Sequence, residues 1–252
     1  MATEQERLDN PDVPKGKKSF VPLGANTPTT KVAVSRQLTS FHDVFSIDEP
    51  ELLAFVPRPA HALLLIFPVS NTYEKFRREE DSSKSEYAGS GTGEPVVWYK
   101  QTIGNACGLI GLLHGVSNGK ARSHIEPESD LAKLIASAVP LTPAARADLL
   151  YESQALESAH QSAASGGDTA APEADAAVDL HYVCFVKSED NRLWEMDGRR
   201  KGPLERGVLG VDEDVLSEKA LNLGVRSFLK REQEAGGGDL RFSLIALAPS
   251  FD

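Results

Sequence analysis

The stretch that most constrains the fold is "HALLLIFPV", residues 61–69, built on "ALLLIF", a run without a single polar side chain. It is too short and too closely flanked by prolines for a good helix, and it fits a buried strand. As a helix it would also be far too short to cross a bilayer. A buried strand needs a core around it. With 252 residues and 40% hydrophobic content, the chain can build one large domain or two small ones.

The remaining pattern mixes both periods. "VVWYKQ" (96–101) is β-branched and aromatic and predicts a strand. Leu109, Leu112, Leu113 and Val116 fall on one helical face, which Asn118-Gly119 ends. Helices are also expected over 129–139 and 142–160, the second with Thr142 as N-cap and Pro143 at its first position. "LHYVCFVKS" (180–188) and "RLWEMD" (192–197) predict two strands joined by an "EDN" hairpin turn, followed by a helix near 213–233 and a strand at 241–249.

Between these elements, 71–95 reads as a charged stretch ending in a Gly-rich loop. Its "GSGTG" (89–93) lacks the lysine and helix of a phosphate loop and predicts a flexible linker. Residues 1–18 read as a disordered tail, and 161–177 as a flexible low-complexity segment inside one domain over 19–252. The element order predicts an α+β fold with a central, mainly antiparallel sheet flanked by helices.

A net charge of −10 argues against nucleic acid or an anionic membrane as the main partner and favours basic ligands. Two cysteines do not make a disulfide framework in a chain this long, and the N-terminus has no apolar stretch typical of a secretory signal. The expected setting is cytoplasmic. His42, His61, His124 and His160 show no metal-ligand spacing, so neither a metal nor a cofactor is expected.

Chemistry concentrates in "QTIGNACGLIGLLHGVSN" (101–118). Small residues surround Cys107, so a substrate carbonyl could approach it closely. The helix beginning just after it would favour the thiolate and aim the Cys107 N–H at an oxyanion, with the Gln101 amide as a second donor. A small buried core cysteine is the competing reading, and the local pattern leaves both open. A nucleophile also needs a base. Alternation along "HYVCFV" puts His181, Val183 and Phe185 on one face and Tyr182, Cys184 and Val186 on the other. His181 could thus face a cleft while Cys184 packs in the core. Asp197 could fix the imidazole, or serve only as a turn residue before Gly198. His114 lies two helical turns from Cys107, about 10 Å, and reads as structural.

Taken together, Gln101, Asn105, Ala106, Cys107, Gly108, Leu112, Leu113 and His114 resemble the active-site signature of ubiquitin C-terminal hydrolases. "LHYVCFV" resembles the family's histidine strand, "LWEMDGRRKGP" its acid segment, and "FHDVFSIDEPELLAFVPRP" (41–59) is also similar. The resemblance covers roughly 19–250. It implies a papain-like thiol hydrolase fold, threaded as a knot, with Cys107, His181, Asp197 and Gln101 as catalytic residues. It further implies a monomer that acts on ubiquitin carrying small or unfolded C-terminal adducts, with 161–177 crossing over the site as a size filter. The short stretch after the last predicted strand resembles the family's short form, without a C-terminal extension. "FVPLGANTPTTKVAVSRQL" (20–38) departs from the family pattern, and Gly115 replaces its usual Ser or Ala. A ubiquitin-binding module without catalysis, a hydrolase for a ubiquitin-like modifier and a general peptidase are the alternatives.

Overall fold

The computed structural model describes residues 18–20, 39–165, 180–234 and 241–251. Its sheet contains β1 (Thr39–Asp43), β2 (Ala62–Pro68), β3 (Leu180–Lys187), β4 (Arg192–Met196), β5 (Leu204–Val208) and β6 (Ser243–Pro249). The strands lie in the order β1-β6-β2-β3-β4-β5, and every pairing is antiparallel. The apolar run of 61–69 becomes β2, hydrogen-bonded on both edges by β6 and β3.

Both faces of β2 are covered, which explains its composition. Ala62, Leu64 and Ile66 join one core cluster with Tyr182, Cys184 and Val186 of β3. Leu63, Leu65 and Phe67 join a second with Val183 and Phe185. The period of two thus splits each strand between two layers. Each fully buried Leu or Ile here contributes about 1.5–3 kcal/mol, so a polar residue at any of these positions would be costly.

Helices fill both sides. After the short α1 (Pro50–Leu53) come α2 (Asn71–Ser82), α3 (Cys107–Ser117), a 3₁₀ turn (Gly119–His124), α4 (Asp130–Ala138), α5 (Pro143–Glu152) and α6 (Gln154–Ser165). After the sheet's hairpins follow α7 (Glu218–Leu223) and α8 (Val225–Glu234). Helix α3 packs on the Cys184 face of the sheet. A Cβ at Gly115 would stand 3.2 Å from that of Ala62 and 3.5 Å from Cys184 Sγ, so glycine there permits the close approach.

The expected strand at 96–101 is not one, and among the described residues it pairs with no strand. Side chains bond its backbone instead. Val97 N–H donates to Asn118 Oδ1 (2.7 Å), Asn118 Nδ2 donates to Val97 O (3.0 Å), and Tyr99 N–H donates to His114 Nε2 (2.9 Å). Arg146 Nη1 reaches Trp98 O at 3.2 Å, and Gln101 N–H donates to Gly198 O at 2.8 Å. Val96, Val97, Trp98 and Tyr99 are all buried, so β propensity reported burial here rather than pairing.

Three other expectations shift. The helix expected over 142–160 is two helices, because Ser153 turns extended and its hydroxyl accepts from Leu156 N–H (3.2 Å). The helix near 213–233 is likewise divided, at Gly224. The Gly-rich linker is anchored, with Gly91 N–H on Val139 O (2.8 Å) and buried Glu94 paired with Arg146. The low-complexity segment begins as the end of α6; its residues 166–179, like 1–17 and the divergent stretch 21–38, lie outside the described residues. So does any knotted threading that depends on them.

Candidate active site

The segment before Cys107 is held from outside. Lys18 to Phe20 run beside Gly104, with Gly104 N–H on Lys18 O (3.1 Å) and Phe20 N–H on Gly104 O (2.9 Å). Asn105 then adopts φ 55°, a left-handed conformation that Asn tolerates better than most residues. This turn feeds Ala106 as N-cap, which makes no side-chain cap bond. Cys107 is therefore the first residue of α3, at a helix N-terminus whose leading N–H groups are not capped by a side chain.

The Cys107 thiol lies 3.8 Å from the carbonyl of Leu180, the residue before His181. Cys107 is half-buried and both cysteines are free. His181 faces the layer expected from alternation and presents Nε2 to Asp197 Oδ1 at 2.9 Å, which leaves Nδ1 as the ring nitrogen for the thiol. Burial pulls the His181 pKa down, but the Asp197 charge and hydrogen bond, with Cys107 beside the ring, outweigh it and hold the value above normal. Asp197 has no exposed surface. Burial alone would raise its pKa, yet the charge and hydrogen bond of His181, the nearby Arg200 and the Tyr73 hydroxyl hold it far below the carboxylate range.

The cage around Asp197 comes largely from residues that the sequence pattern did not single out. Tyr73 Oη donates to Asp197 Oδ2, Arg199 N–H donates to Oδ1 at 2.9 Å, and Arg200 Nε stands 3.9 Å from Oδ2. Tyr73 belongs to α2, a helix hidden in a stretch that looked merely charged. Its inward stripe is Tyr73, Arg77 and Asp81, four residues apart, so hydrophobic periodicity could not see it. The available signal was Ser70, whose Oγ accepts from Tyr73 N–H at 2.8 Å as an N-cap.

Gln101 is buried, and its Nε2 donates to Ile103 O at 3.3 Å. An amide nitrogen carries two hydrogens, so one remains for another acceptor. A Cβ at Gly198 would fall 3.0 Å from that of Gln101 and 2.8 Å from Ile110 Cγ2. Glycine after Asp197 thus lets the acid's loop lie flat against Gln101. The four expected site residues therefore gather at one end of the sheet, Cys107 and Leu180 in contact, His181 on Asp197, and Asp197's loop on Gln101. His114 stays apart from the thiol, buried in the core, with its Nε2 as an acceptor. Cys184 is buried with its pKa pushed up by desolvation, as a core residue would be. Among the described residues no group of three or more His, Cys, Asp or Glu could hold a metal ion, and no helix is long and apolar enough to cross a membrane.

A thiol at a helix start, packed on an antiparallel sheet with a His on one strand and an Asp just past the end of the next, is the papain-like α+β arrangement. The pattern of ubiquitin carboxyl-terminal hydrolase, family 1, matches residues 25–230, and the chain belongs to that family. It is 37% identical over 207 residues to ubiquitin carboxyl-terminal hydrolase isozyme L1 of Rattus norvegicus, covering 82% of this chain and 86% of the relative. It is 36% identical to ubiquitin carboxyl-terminal hydrolase 3 of Arabidopsis thaliana, with 82% of each covered. The fold is similar to the catalytic domain of Trichinella spiralis UCH37 bound to ubiquitin vinyl methyl ester, with a TM-score of 0.67 at 18% identity. That superposition covers 93% of this chain and 97% of the other.

Proposed function

We propose that this chain is a thiol-dependent hydrolase that removes adducts from the C-terminal glycine of ubiquitin. The observation that carries it is His181, bonded through Nε2 to a caged, ionised Asp197 and turned by that bond to offer Nδ1 to Cys107. The Cys107 thiol gives its proton to His181, and the sulfur attacks the glycine carbonyl, forming the S–C bond while the carbonyl π electrons become an oxyanion. The Cys107 N–H and the remaining Gln101 amide N–H stabilise it. The intermediate collapses to a thioester as protonated His181 gives its proton to the leaving group. Neutral His181 then takes a proton from water, whose oxygen displaces the sulfur and frees ubiquitin. Asp197 holds the imidazole tautomer and balances its charge throughout.

The adducts released are small or unfolded. Residues 166–179 lie in sequence between α6 and Leu180, and the Leu180 carbonyl touches the thiol. The enzyme works as a monomer, in the cytoplasm, where both thiols stay reduced. The test is steady-state hydrolysis of a fluorogenic ubiquitin C-terminal amide. Wild type turns over, while Cys107→Ala and His181→Ala bind ubiquitin without turnover. Turnover by Cys107→Ala would refute the assignment. Equal turnover of ubiquitin-free peptides would make the chain a general peptidase, and turnover of a ubiquitin-like adduct alone would move the substrate.

A further inference from the structure

Behind the acid loop lies a cleft of about 550 Å³, within the usual range for a small-molecule site. It opens between the C-terminal half of α2, the end of the 96–101 segment and the loop after Asp197. Six basic side chains line it (Arg77, Arg78, Lys100, Arg199, Arg200 and Lys201) against two acids, Asp81 and Glu86. The contrast with a chain of net charge −10 is large.

The cations are unevenly neutralised. Glu74 pairs with three guanidiniums, Arg199 Nη2 at 2.6 Å, Arg77 Nη2 at 3.0 Å and Arg78 Nη2 at 3.5 Å. Lys201 Nζ donates to the backbone carbonyl of Lys84 at 3.0 Å, and among the described residues no carboxylate lies within ion-pair distance of it. Lys100 does pair with Glu86, at 3.1 Å, but both side chains are largely exposed and the pair is weak in water. Arg200 is different: Asp81 and Glu80 each hold it at 3.0 Å, so it walls the cleft rather than binding in it. Arg77 and Arg199 are fixed by burial, while Arg78 is 64% exposed and held only by its 3.5 Å pair with Glu74. Fixed guanidinium forks beside mobile cations suit an oxyanion with several charges, because forks match phosphate geometry and the mobile arms add charge.

We infer that this cleft is a binding site for a small polyphosphate, a compound carrying two or more phosphoryl groups. The site is separate from the thiol, and binding does not depend on the hydrolase reading. Its position gives it a route to the chemistry, since Arg199 N–H bonds Asp197 and Gly198 O accepts from Gln101 N–H.

The probe is inorganic tripolyphosphate, titrated into ¹⁵N-labelled full-length protein at fixed ionic strength, with sodium chloride and monophosphate as controls. The expected result is a saturable one-to-one isotherm whose amide shifts centre on Gly198, Arg199 and Lys201 and are not reproduced by chloride. Tripolyphosphate should bind more tightly than monophosphate. Arg78→Ala and Lys201→Ala are surface changes and should each weaken binding about tenfold or more, the effect of losing one charge-assisted hydrogen bond. Lys230→Ala, an exposed lysine on α8, should not change it. Absence of saturation, shifts scattered over surface lysines, or affinity unchanged in both cleft variants would overturn the inference. Because the readout is binding, a failure here leaves the Cys107 assignment untouched, and an inactive enzyme would still bind.

Discussion

Acid should weaken the fold through His114. This side chain has no exposed surface, and its Nε2 accepts Tyr99 N–H at 2.9 Å, which a protonated ring could not do. Burial is the main reason that its pKa falls from 6.5 to about 3. Between those values the unfolded chain binds a proton that the folded chain does not. The stability contributed by neutral His114 is therefore fully present above pH 6.5 and lost progressively as pH falls towards 3. Integration gives a loss of about 2.5 kcal/mol between pH 7 and pH 4.5, and any folded pKa below about 4 gives nearly the same figure. His61, held near 4 mainly by burial, adds to this trend, whereas His181, with its raised pKa, opposes it. A variant isolates the His114 part. In His114→Gln the amide oxygen can accept the same N–H without titrating. Urea denaturation followed by tryptophan fluorescence, with buried Trp98 in the affected segment, gives stability at each pH. Wild type should lose about 2.5 kcal/mol more than the variant over this range. Parallel stability curves would refute the reasoning and with it the neutral acceptor role of His114.

Tyr73→Phe removes one hydrogen bond to buried Asp197 and leaves those of His181 and Arg199, so denaturation should show a loss of about 1.5–3 kcal/mol together with a reduced kcat; unchanged values would make the phenol a bystander. Gln101→Ala should lower kcat by about 10²–10³ with little change in KM, because an oxyanion donor acts in the transition state. Steady-state kinetics on a small ubiquitin amide checks this, and a pure KM effect would reassign Gln101 to substrate positioning. Inserting a Gly-Ser stretch within 166–179 should raise di-ubiquitin cleavage relative to the small amide. An unchanged ratio with the fold intact would remove the size filter.

The sequence made legible those parts whose chemistry is local. Four strands announced themselves by apolar runs and alternation, and the Cys107, His181 and Asp197 segments carried ordered motifs. Helix α2 was hidden because its buried stripe is Tyr73, Arg77 and Asp81, of which only Tyr73 packs in the apolar core while Arg77 and Asp81 bond the polar loop after Asp197. Strands β1 and β5 are short edges with few buried residues, so alternation had little to register. The 96–101 segment misled in the opposite sense. Its β-branched and aromatic residues are buried as a strand's would be, but Asn118, His114 and Arg146, all distant in sequence, take the place of a neighbouring strand. What could not be read was therefore mostly polar bonding between distant segments, such as the side chains on the 96–101 backbone and the Tyr73 hydroxyl on Asp197.

Labelling with ubiquitin that carries a C-terminal vinyl methyl ester, followed by peptide mapping, tests directly whether Cys107 is the nucleophile. The expected product is one ubiquitin per chain, joined by a thioether at Cys107, with Cys184 unmodified and with labelling abolished in Cys107→Ala. Labelling at Cys184, or none in a folded protein that binds ubiquitin, would contradict it.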